Sequence, residues 1–126
     1  MNGFHKEDSS VLGFLKNCLF RECLLNKELR KFFEILIEEH DVDKLPVFVF
    51  DLVDFDEGPA DFAVTLGFSL VSEYSEDERD ALYGITYKRG IEPYDCPFTK
   101  KQALKKIEQY PHIEQKFREL FPFIEF

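Results

Sequence analysis

A chain of 126 residues is the size of one domain, and with 44% hydrophobic side chains it can bury a core of its own. A net charge of −9 argues against nucleic acid as a direct ligand, because phosphate binding needs clustered Lys and Arg. No apolar run approaches the roughly 18 residues of a membrane span, and residues 1–8 lack the apolar stretch of a secretory leader. The expectation is therefore a cytoplasmic protein in which Cys18, Cys23 and Cys96 stay reduced.

The chain opens on an amphipathic helix over 9–25. Val11, Leu12, Leu15, Cys18 and Leu19, with Phe14, recur at steps of three and four, and Asp8, Ser9 or Ser10 supplies the cap. Asn26 punctuates the chain and is expected to cap a second helix over 27–40. Leu29, Phe32, Phe33, Leu36 and Ile37 form its buried stripe, with Arg30, Lys31 and Glu34 opposite. Two helices joined this tightly predict an antiparallel hairpin.

Residues 45–55 and 60–72 are ambiguous. Val and Phe enrichment in the first, and alternating Phe62, Val64, Leu66, Phe68 and Leu70 in the second, suit strands. Against that, Asp51 and Asp54 lie three apart on one helical face, Pro46 suits a first turn, and Asp61, Thr65, Ser69 and Ser72 make a polar helical stripe. No hairpin turn joins the two segments, so both are read as helices.

Further on the signals sharpen. Ser75 with Glu78 makes a capping box for a helix running to about Arg89 and ending at Gly90, with Ala81, Leu82 and Ile85 buried. Residues 91–98 form a connector stiffened by two prolines. Thr99 and Gln102 make a second capping box, with Ala103, Leu104 and Ile107 inward and Lys100, Lys101, Lys105 and Lys106 in water. Pro111 starts a last helix that buries Ile113, Phe117 and Leu120. Pro122 stops it, and an apolar tail of Phe123, Ile124 and Phe126 folds back. The expected fold is all-α, a compact single-domain bundle of about six to eight helices over residues 1–126. The alternative is α+β, with a small two-stranded insertion within 45–72.

Charge is unevenly spread. Between Glu38 and Asp80 there are 14 acidic residues against Lys44 and Arg79, a net of −12, while the rest of the chain carries +3. Like charge at this density is either a solvated surface or a docking face for a basic partner. The carboxylates Asp51, Asp54, Asp56, Glu57 and Asp61 invite a metal reading, but the sequence after Asp54 lacks the further ligands and closing Glu of a calcium loop. His5, His40 and His112 are scattered, Cys18 and Cys23 are not spaced as a redox pair, and no phosphate-binding glycine motif occurs. Neither a cofactor nor a metal is expected, and no catalytic constellation is visible.

The C-terminal half is similar in style to a known group. Ala81-Leu82-Tyr83-Gly84-Ile85, Lys88-Arg89-Gly90, Pro93-Tyr94-Asp95-Cys96-Pro97 and helices ending in Leu120-Phe121-Pro122-Phe123 resemble bacterial immunity proteins of contact-dependent growth inhibition and related polymorphic toxin systems. The resemblance covers about residues 75–123. It implies a non-enzymatic cytoplasmic inhibitor that covers the active site of a cognate toxin, while the phenylalanine excess leaves either a monomer or a weak dimer open. If that toxin is a nuclease, its basic cleft would meet a surface built from Asp51, Asp54, Asp56, Glu57, Asp61, Glu73, Glu76, Asp77 and Asp80. Tyr74 or Phe55 would serve as an aromatic anchor. The other readings are an acidic adaptor or regulatory domain with another basic partner, and a small enzyme or metal protein using Asp51, Asp54 or Cys96.

Overall fold

A computed structural model describes residues 3–70 and 72–126, and every regular element within them is helical. The α+β alternative is excluded for the described residues. Residue 71, inside the helix expected over 60–72, lies outside them. The chain divides into two compact units, one of Met1–Lys16 and Leu25–Glu73, the other of Asn17–Leu24 and Tyr74–Phe126.

The first unit begins with α1 (Ser10–Phe20), whose last residues belong to the second unit. Asp8 caps it: Oδ1 accepts from Ser10 N at 3.3 Å and Ser10 Oγ at 2.9 Å, while Oδ2 accepts from Gly3 N at 3.0 Å. The Gly3 carbonyl in turn accepts from Val11 N and Leu12 N, so donors that every helix start leaves open find partners. Gly3 has φ +87°, and a Cβ there would lie 2.4 Å from Val11 Cγ2. Only glycine fits.

Helix α2 (Asn26–Glu39) buries Leu29, Phe32, Phe33 and Leu36, as the stripe predicts. Asn26 is not its cap. Leu25 holds that position, and its N–H donates to Glu28 Oε1 at 2.9 Å. The Asn26 amide instead donates to Glu57 O at 2.9 Å, because a side chain one residue inside the helix points away from the open N–H groups. A 3₁₀ turn (Val42–Lys44) leads to α3 (Phe48–Leu52), and α4 (Pro59–Leu66) ends at Gly67 with φ +79°. Both ambiguous segments are helical, each shorter than expected. α2 packs on α3, and α3 on α4. The antiparallel pairing expected of α1 with α2 is not among the principal helix packings.

In the second unit the helix expected over 75–89 is interrupted at Ala81 into α5 (Glu76–Asp80) and α6 (Leu82–Lys88). α7 (Lys100–Gln109) and α8 (Pro111–Leu120) follow. Both capping boxes form: Ser75 Oγ accepts from Glu78 N at 3.1 Å, Ser75 N donates to Glu78 Oε1 at 3.0 Å, and Thr99 and Gln102 repeat the exchange. The closest packing is α6 on α7, where Gly84 meets Ala103 and Ile107. The tail folds back as expected, with Phe126 edge-on to Phe117 at 5.7 Å and Phe121 and Ile124 buried.

The turn after α1 is tied down within this unit. Glu22 has φ +64°, unusual for a residue with a side chain, and its carboxylate accepts from Tyr94 N at 2.9 Å and Asp95 N at 3.2 Å. Thr86 Oγ1 donates to Arg21 O at 2.7 Å, and Arg89 donates to Cys23 O. Cys18 and Cys23 are buried, and burial pushes the Cys18 thiol well up.

Candidate protein-binding surface

The acidic residues divide unequally between the units. The first holds fourteen acidic and six basic residues, a net of −8; the second holds eleven and ten, a net of −1. Nearly all of the excess therefore belongs to the unit built from α2, α3 and α4.

Within that unit, local geometry keeps the carboxylates in water. On the stretch from Val47 to Asp54 the buried positions are Val49 and Leu52, with Leu45 before them and Phe55 after. Helical spacing then turns Asp51 and Asp54 to the opposite face, and both are exposed. The loop that follows is held from α2: Arg30 donates to Phe55 O at 2.7 Å, and Asn26 to Glu57 O. With its backbone fixed this way, the loop presents Asp56 and Glu57 outward. Asp61 is exposed on the first turn of α4, and Glu73 is exposed at the end of the unit. Asp56 lies 3.4 Å from Arg30 and Asp41 lies 3.7 Å from Lys44; such exposed pairs contribute about 0–1 kcal/mol each and neutralise little.

Several acids of the second unit have partners within it. Asp77 accepts from Lys106 and from Tyr110 Oη (2.6 Å), and these two bonds hold its carboxyl below the ordinary range. Glu78 accepts from Ser75 N and lies 2.5 Å from His112 Nε2, and it too is lowered. Asp80 pairs with Arg21 at 3.2 Å, with both side chains only 18% exposed. Of the acids expected to meet a partner here, Asp80 pairs inside the unit, Asp77 is paired but exposed, and Glu76 is exposed. Lys106 is likewise not part of a free basic face, since it pairs with Asp77 and lies over the Phe98 ring at 4.8 Å.

Of the two aromatic anchors expected from the sequence, Phe55 belongs to the core: it is buried at 5% exposure and packs edge-on to Phe62 at 6.0 Å. Tyr74 is half-buried, with its ring 6.1 Å from that of His112. The large apolar side chains that do reach water from the first unit are others: Val47 at 80%, Val64 at 77%, Val42 at 59%, Phe50 at 38% and Leu25 at 37%. Periodicity could have pointed to Val47 and Phe50, since they share the helical face of Asp51 and Asp54. A run this rich in Val and Phe hides which of them is surplus to the core.

Among the described residues no group of three or more His, Cys, Asp or Glu side chains could hold a metal ion. Cys96 donates to Phe98 O at 3.4 Å and its thiol is raised by burial, the opposite of what activates a nucleophile. No helix among the described residues is long and apolar enough to cross a membrane. No family model, no curated protein and no solved structure matches the chain.

Proposed function

We propose that this chain is a bacterial immunity protein, a non-enzymatic inhibitor that binds a basic toxin domain in the cytoplasm and covers its active-site cleft. The observation that carries the reading is the segregation of charge, with a net of −8 in one unit whose carboxylates Asp51, Asp54, Asp56, Glu57, Asp61 and Glu73 face water. A nuclease holds phosphates in a positive cleft, and a rigid array of carboxylates presents it with the same sign of charge. Such complementarity speeds encounter more than it deepens affinity, and screening weakens it.

The test is a pull-down from the producing bacterium with this protein as bait, at low and then high salt. The expected result is recovery of one basic protein whose nuclease activity the bait suppresses, with an association rate that falls steeply as salt rises. An inhibited partner whose association rate ignores ionic strength would overturn the electrostatic mechanism. Recovery of a housekeeping protein that the bait does not inhibit would overturn immunity itself.

A further inference from the structure

The exposed face of α3 is not simply acidic. From Val47 to Val53 the ends of the helix keep right-handed helical dihedrals, with φ −57° and ψ −37° at Val47 and φ −64° and ψ −20° at Val53. Residues 47, 50, 51 and 54 therefore follow one another at i, i+3, i+4 and i+7 along a single face, about 10 Å long at the helical rise. That face reads Val, Phe, Asp, Asp. The opposite face, Val49 and Leu52, is fully buried against the unit's core. Folding does not need Val47 in water at 80% exposure, and Phe50 beside it is 38% exposed. Two apolar side chains next to two carboxylates with no ion-pair partner among the described residues make half of a composite contact. Its complement is a surface with an apolar ridge and a cationic flank.

We infer that the Val47–Phe50–Asp51–Asp54 face of α3 docks a basic amphipathic helix of a partner protein, with the apolar pair holding the complex and the carboxylates guiding it in. The inference rests on the protein-binding reading above and specifies the partner's contact chemistry. Charge complementarity selects the occupant: a second copy of this chain would bring another acidic unit and be repelled. Nucleic acid would be repelled too. A bare polycation would satisfy Asp51 and Asp54 but leave Val47 and Phe50 in water. A helix carrying Leu and Lys at matching spacing satisfies all four. Buried apolar side chains at the centre of an interface chiefly set the dissociation rate, whereas exposed charges set the association rate.

The experiment uses two fluorescent probes of equal charge: a Lys/Leu amphipathic helical peptide and an oligolysine. Each is titrated against the full chain and its variants at about 50 mM salt. The wild type should bind the amphipathic peptide at least tenfold more tightly than oligolysine. V47S with F50S should remove most of that advantage without altering oligolysine binding. D51K with D54K should weaken both probes. Because Phe50 is partly buried, V47S alone, at a side chain 80% exposed, is measured as well and should lower peptide affinity several-fold with an unchanged melting temperature. If V47S and the double variant bind the peptide like wild type, the composite contact is wrong while the acidic docking reading stands. If charge reversal affects neither probe, or neither binds wild type, the acidic reading falls and takes this inference with it.

Discussion

Gly84 lies in the wall between α6 and α7, where an added Cβ would stand 2.5 Å from Ile107 Cγ2 and 2.6 Å from Ala103 O. One of those neighbours is backbone, so the clash cannot be relieved by turning a side chain. Gly84→Ala should therefore destabilise the protein by about 1–3 kcal/mol or more, read as a lower denaturant midpoint at unchanged slope. Gly67→Ala is the control, since open space surrounds that position and only its φ of +79° resists the change. The two variants should rank with Gly84 the worse; equal losses would mean that packing at α6 and α7 is looser than these distances show. The same scale explains which acids are free. Asp51 and Asp54 are exposed because a helical period sets them opposite Val49 and Leu52, while Asp80 is paired because Arg21, 59 residues away, reaches it.

At the scale of elements, α5 is held at its start by the Ser75–Glu78 exchange and along its side by Asp77 and Glu78 bonding to α7 and α8. Lys106 and Tyr110 lower the Asp77 carboxyl, and Ser75 N–H with His112 lowers that of Glu78. In both cases the folded value lies below the unfolded one. The stabilisation is thus complete above the ordinary carboxylate range near pH 4 and disappears as pH falls through the lower folded values. Melting temperature should drop on acidification below about pH 4, and Asp77→Asn should flatten that dependence; an unchanged acid limb in the variant would refute the linkage. Glu114 has the same sign: burial works to raise it, but Lys88 and Arg118 prevail and hold it lower.

At the scale of the whole molecule, a net of −8 gathered in one unit costs stability by self-repulsion. Raising salt from about 10 mM to 150 mM shortens the screening length from about 30 Å to 8 Å and should relieve that cost. The relief belongs to the first unit. All five tyrosines lie in the second, so ring fluorescence cannot report it and amide hydrogen exchange must. Exchange in α2, α3 and α4 should slow as salt is added. Faster exchange would mean that ion pairing, not repulsion, dominates there.

Much of this was written locally. Ser75, Thr99, Pro111 and Gly90 mark helix limits because a cap or a left-handed residue acts within three or four positions of itself, and the buried stripe of α2 follows from one period. The helical nature of the chain outside 45–72 and the sign and position of the charge were likewise legible from sequence alone. What only the tertiary structure decided is long-range. It closed the strand alternative for 45–70, where two periodicities coexist in one string. It broke one expected helix at Ala81, buried Phe55, and joined Asp77 to Lys106, Glu78 to His112 and Asp80 to Arg21. Those pairings depend on which helix faces come together, and no spacing within a single segment encodes that. The charge was visible in the order of residues; which carboxylates remain free to meet a partner was set only when the helices packed.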